Sequence, residues 1–146
     1  LASDGARHII TPGISLNLGP PDAEVDGIPN ATATGDDITN IDDEDGVSIP
    51  LLTPGAIAFI GLSNAGNGYL NAWIDFNGDG SFSGSNEQIF NGRAVVTGTN
   101  NLSFDIPSTA LACRTYARFR ISSTSGGVGV QFFKSSRLSS RGGRRG

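Results

Sequence analysis

Asp75, Asn77 and Asp79 stand at every second position of the stretch WIDFNGDGSFSGSNEQIF, residues 73–90, with Gly78 and Gly80 set between and after them. Oxygen-bearing side chains at alternate positions of a tight turn suit a hard cation. Ca2+ collects about six to eight oxygens at roughly 2.3–2.6 Å, and a short loop can supply many of them by mixing side chains with backbone carbonyls. With Asp75 as the first loop position, Gly80 falls at the sixth, where an EF-hand loop needs a sharp turn. Ser81 follows at the seventh and would offer its carbonyl, and Ser83 stands at the ninth. The departure comes at the twelfth position, where an EF-hand places a bidentate Glu: Asn86 stands there, and Glu87 one residue later. A strand, not a helix, leads into the loop. The residues therefore predict an EF-like calcium loop on a β scaffold, with Asp75, Asn77, Asp79, Ser81 and Glu87 as ligands. The competing reading is a polar turn that binds nothing, because turns favour the same residue types.

A second acidic region precedes it. Residues 21–46 hold nine acids and no base, too polar to pack as an element and long for an ordinary loop. They read either as a disordered acidic linker or as a loop ordered by cations, with Asp42, Asp43 and Asp45 as a second ligand set. Catalysis finds no foothold: one His, one Cys and no nucleophile–base pairing leave only carboxylates, and these sit in loops suited to cations. No enzyme is expected.

The elements that would position the loop follow from pattern. With Gly at 21 of 146 residues, about twice the ordinary ~7 %, and no sustained helical periodicity, the chain reads as all-β. In residues 69–76 Leu70, Ala72, Ile74 and Phe76 share one face, and Tyr69, Asn71, Trp73 and Asp75 the other. Residues 101–107 put Leu102, Phe104 and Ile106 on one side. Residues 114–122 put Thr115, Ala117, Phe119 and Ile121 inward and Tyr116, Arg118 and Arg120 outward. Asn91-Gly92 suits a tight hairpin. Short strands at about ten-residue spacing predict an antiparallel β-sandwich, jelly-roll or immunoglobulin-like, with a long acidic N-terminal loop.

Charge is divided along the chain, which carries a net −4. All fourteen acids lie at or before Asp105 with only two bases, Arg7 and Arg93; eight bases and no acid follow. From Gly126 the strand pattern fails, and residues 131–146 read as an irregular basic Gly/Ser/Arg-rich tail outside a domain of residues 1–130. No aromatic stacking pattern accompanies these arginines, so nucleic acid is not the expected partner. No stretch is long and apolar enough for membrane insertion. A chain with no Met at all reads as a processed product or a piece of a longer protein.

Three stretches, DAEVDGIPNATATGDD with DDEDGV, GYLNAWIDFNGDGSF with EQIF, and TYARFRIS, together resemble the GEVED domain of large secreted and cell-surface bacterial proteins. The resemblance runs from about Asp4 to Ser123. It implies a β-sandwich module of extracellular multidomain proteins, without catalytic activity. Asp22, Glu24, Asp26, Asp42, Asp43, Glu44 and Asp45 fall on the family's acidic positions. The closing Gly-Glu-Val-Glu-Asp motif is missing, and SRGGRRG stands in its place. A one-nucleotide shift of frame lets Arg141-Gly-Gly-Arg-Arg encode Gly-Glu-Val-Glu-Glu, so the tail beyond about Gln131 reads as out of frame. A final strand would then be lost and a sheet edge left open.

The resulting expectation is a secreted or cell-surface, calcium-binding, non-catalytic structural or adhesive module, whose partners are other surface-protein domains or like subunits. Two alternatives stand beside it. One is a self-assembling filament or surface-layer subunit using the open edge. The other is a carbohydrate-binding module, with glycans stacked on Tyr69 and Trp73, although Trp73 is expected to pack against the sandwich.

Overall fold

The computed structural model describes residues 12–16, 46–112 and 114–126, together with the backbone of 135–139. Among the described residues seven strands follow one another: β1 (Val47–Ser48), β2 (Ile57–Asn64), β3 (Gly68–Ile74), β4 (Gln88–Val95), β5 (Gly98–Asp105), β6 (Arg114–Ser122) and β7 (Ser135–Ser139). They form two antiparallel sheets, a three-stranded one ordered β1-β2-β5 and a four-stranded one ordered β4-β3-β6-β7. This is the expected all-β sandwich.

The period-two alternation decides which side chains enter the core. On β3, Leu70, Ala72 and Ile74 are fully buried, and on β6 so are Ala117, Phe119 and Ile121. The register sets Leu70 opposite Ile121, Ala72 opposite Phe119 and Ile74 opposite Ala117, so the two central strands give the core one continuous apolar face. The other sheet answers with Ala58, Ile60 and Leu62 from β2 and with Leu102 and Phe104 from β5. Phe90 and Phe104 meet edge to face across the sheets, with centroids 6.0 Å apart.

Three expectations are corrected. Asn91-Gly92 is not a hairpin turn; it lies inside β4, where the β3–β4 register shifts between Leu70 and Ala72. Asn71 Oδ1 accepts the Gly92 N–H at 2.9 Å, and Gly92 takes φ 63°. A side-chain amide thus captures the N–H that the irregular strand turns out of the ladder. Trp73 does not enter the core. Its parity on β3 places it half-buried on the outer face, with the Arg118 guanidinium 5.5 Å from the ring centroid. Finally, the C-terminal segment is not irregular throughout. Residues 135–139 form β7, paired with β6 from Arg114↔Ser139 to Arg118↔Ser135. β7 is thereby the outermost strand on that side of the sheet.

Candidate metal centre

The acidic loop begins where β3 stops. Ile74 N still donates to Glu87 O at 2.8 Å, at the mouth of β4, and Asp75 N donates to Tyr116 O at 3.0 Å. Thr115 Oγ1 donates to Asp75 O, and Leu111 N donates to Phe76 O at 2.8 Å. The backbone at 74–76 is thereby tied to β4, β6 and the 106–112 connection before the loop leaves the sandwich.

Within the loop the Asp75 carboxylate is the organising acceptor. Its Oδ1 takes the N–H of Gly78 at 2.7 Å and of Asp79 at 3.2 Å, and its Oδ2 takes that of Gly80 at 2.9 Å. The alternation then repeats one step on. Asn77 Oδ1 accepts from Asp79 N, Asp79 Oδ1 from Ser81 N, and Ser81 Oγ from Ser83 N. Asn77 Nδ2 donates to Asp79 Oδ2 at 3.0 Å. Asn77, Asp79 and Ser81 each capture the amide two residues later, the turn chemistry these residue types favour. Gly80, at φ 79°, supplies the left-handed step the chain needs there.

Glu87 enters from the far side. Asn86, at φ 67°, is the only non-glycine among the described residues with a positive φ, a conformation Asn tolerates better than most residues. The turn carries the chain into β4 and leaves the Glu87 side chain inside, 1 % exposed. Its Oε2 accepts from Gly84 N at 2.8 Å, while Oε1 is buried with no hydrogen-bond partner among the described residues. Gly84 is required for this placement: a Cβ there would lie 2.6 Å from both Cδ and Oε2 of Glu87 and 2.9 Å from Oε1.

The predicted ligands Asp75, Asp79 and Glu87 therefore converge. One carboxylate oxygen from each lies within 4.8 Å of the others, with Asp75 and Glu87 buried and Asp79 exposed. Asn77 is held against Asp79. Ser81, next along the loop, shares a 2.7 Å hydroxyl contact with Ser83. Asp42, Asp43 and Asp45 lie outside the described residues. Tyr69 and Trp73 face outward on β3. Sequence reasoning missed Gly84, whose part depends on a contact with Glu87 that spacing alone does not reveal. A glycine three residues before a buried acid was the available signal.

Two carboxylates taken from water into one site repel each other and carry a desolvation cost, which a divalent ion bridging them offsets. The donor set consists entirely of hard oxygens, which fits Ca2+ better than a thiophilic or imidazole-seeking metal. The buried, unpartnered Glu87 Oε1 fits such an ion as well, because a partnerless buried carboxylate oxygen is costly.

Fold and site define an all-β sandwich module with an acid-rich loop at the β3 exit. Residues 69–136, from β3 into β7, match the family model of the GEVED domain. The match contains the whole acidic loop and begins downstream of the acidic N-terminal segment. No curated protein and no solved structure matches the chain.

Proposed function

We propose that the chain is a non-catalytic, calcium-stabilised structural or adhesive module of a secreted or cell-surface bacterial protein. The single observation that carries the calcium reading is Glu87. A glutamate buried to 1 % exposure, with one oxygen unpartnered among the described residues and within reach of Asp75 and Asp79, is stabilised by a bound cation. The extracellular setting and the absence of catalysis rest on what GEVED resemblance implies. In this reading the ion does no chemistry. It fastens β3, β4 and the intervening loop into one rigid corner, and its binding energy becomes folding free energy.

The direct test is terbium luminescence. Tb3+ substitutes for Ca2+ at oxygen sites, and Trp73, the sole Trp of the chain, lies two residues from Asp75. Saturable sensitised emission, displaced by Ca2+ and absent from Asp79→Ala, is the expected result. Emission that persists in that variant, or that Ca2+ does not displace, would count against the site.

A further inference from the structure

The chain holds three Asn-Gly pairs, Asn67-Gly68, Asn77-Gly78 and Asn91-Gly92. An asparagine followed by glycine can react on itself: the glycine nitrogen attacks the side-chain Cγ, and no Cβ on the glycine shields that nitrogen. The fold treats the three pairs differently. Gly68 is buried at the start of β3, in register with Val95, and a Cβ there would meet Ile121 and the Ser122 carbonyl at 2.9 Å. The glycine has no room to swing, and Asn67 Oδ1 is turned away to accept Thr97 N at 3.0 Å. Asn91-Gly92 lies within β4, and Gly92 N donates at 2.9 Å to Asn71 Oδ1, a neutral amide oxygen that takes up no proton. Asn77-Gly78 stands outside both sheets and is exposed at both residues. There, three contacts fall on the three atoms the reaction changes. Asp75 Oδ1, a carboxylate oxygen, accepts Gly78 N–H at 2.7 Å. Asp79 N–H donates to Asn77 Oδ1 at 2.8 Å, so the oxygen that becomes negative already has a donor. Asn77 Nδ2, the leaving nitrogen, donates to Asp79 Oδ2 at 3.0 Å.

We propose that Asn77-Gly78 is a self-modification site, where the loop deamidates Asn77 without an enzyme and Asp75 is the proton acceptor. The bond from Gly78 N to Asn77 Cγ forms as the amide proton passes to Asp75 Oδ1. The negative oxygen of the tetrahedral intermediate rests on Asp79 N–H. The Cγ–Nδ2 bond then breaks, and the nitrogen leaves as ammonia with the proton that Asp75 took up. One water molecule opens the resulting succinimide at either carbonyl, giving aspartate or isoaspartate. Nothing is oxidised or reduced. Either product adds a carboxylate at the third position of the loop, one of those from which an EF-hand loop ligates calcium. The isoaspartate product also lengthens the backbone there by one methylene. The charge of the loop therefore rises with the age of the chain.

The test is peptide mapping by mass spectrometry of the full chain aged in chelator, once folded and once in denaturant. The reaction needs no metal, so the calcium reading can fail while this one stands. In denaturant the three pairs, alike as dipeptides, should deamidate at similar rates. In the folded chain Asn67 and Asn91 should fall well below those rates, while Asn77 should at least keep its own. Asp75→Asn retains an acceptor oxygen for Gly78 N–H and removes the charge. It should slow Asn77 about tenfold, the rate equivalent of one charge-assisted hydrogen bond, and leave Asn67 and Asn91 as they were. The wild-type comparison needs no variant, and it decides the matter if Asp75→Asn does not fold. The proposal is overturned if folded Asn77 reacts more slowly than folded Asn67 or Asn91, or more slowly than it does in denaturant. An unchanged rate at Asn77 in folded Asp75→Asn overturns it as well.

Discussion

Replacing Glu87 with Gln separates the need for an ion from the need for a shape. The two side chains are nearly isosteric, and the amide oxygen can still accept the Gly84 N–H that Glu87 Oε2 takes at 2.8 Å. What changes is the group at Oε1, buried and without a hydrogen-bond partner among the described residues. In the variant an NH2 stands there, able to donate toward the oxygens of Asp75 and Asp79 within the same 4.8 Å cluster. In chelator, Glu87→Gln should therefore be more stable than wild type, by about the 1–3 kcal/mol that an unsatisfied buried polar group costs. In Ca2+ that gap closes, and it reverses where the ion's contribution exceeds it. A ligand at a hundredfold excess over its dissociation constant stabilises the native state by about 2.7 kcal/mol. For a chain of 146 residues, at about 2–4 °C per kcal/mol, that is about 5–11 °C in melting temperature. Wild type should show this shift between chelator and Ca2+ in a calorimetric scan, and Glu87→Gln should show almost none. A wild-type curve indifferent to chelator would refute the calcium reading. A variant that responds as wild type does would refute Glu87 as a ligand while leaving Asp75 and Asp79 in place.

Gly84→Ala changes no candidate ligand, yet its Cβ would lie 2.6 Å from the Glu87 carboxylate; the Ca2+-dependent shift in melting temperature should disappear. Asp75→Ala should destabilise the chain even in chelator, by about 2–4 kcal/mol in denaturant titration, because three loop N–H groups lose their charged acceptor. Asn77→Asp should lower stability in chelator, where the Asn77 Nδ2 to Asp79 Oδ2 bond becomes carboxylate repulsion, and should enlarge the Ca2+ response; calorimetry in both buffers reads the two signs. Phe119→Ala, emptying a fully buried site at the centre of the core, should cost about 3–5 kcal/mol and leave the Ca2+ response intact.

The parts legible in the sequence were those that a local period dictates. Burial alternates along β3 and β6 because the strand repeat is two residues. A chain reading Leu70, Ala72, Ile74 and Ala117, Phe119, Ile121 could therefore bury only that face. Asp75, Asn77 and Asp79 were legible for a similar reason, since alternate side chains of one tight loop must converge. Where two structures share one local chemistry, sequence could not choose between them. Asn91-Gly92 suits a hairpin turn and a strand irregularity equally, and the choice fell to Asn71, twenty-one residues away, whose side chain takes the Gly92 N–H. Trp73 was misplaced because its size argued for burial while its parity argued for the surface. Parity prevailed, because turning Trp73 inward would flip Leu70, Ala72 and Ile74 outward with it, and Arg118 then covers the exposed ring.

Glu87 shows how the two kinds of information combine. Its position one residue beyond the EF-hand spacing looked like a defect in the motif. In the folded chain the extra residue is Asn86, at φ 67°, and the turn it makes returns the chain into β4. An EF-hand places its closing glutamate at the twelfth position, ahead of a helix. Here a strand follows, Ile74 N bonds Glu87 O across the sheet, and the ladder fixes which residue faces Asp75. The late glutamate is thus the one the β scaffold can bring to the site. Moving it back to the EF-hand position, by Asn86→Glu with Glu87→Asn, would put the acid on the exposed left-handed turn and an amide beside Asp75. That double variant should lose its Ca2+ response despite restoring the EF-hand spacing.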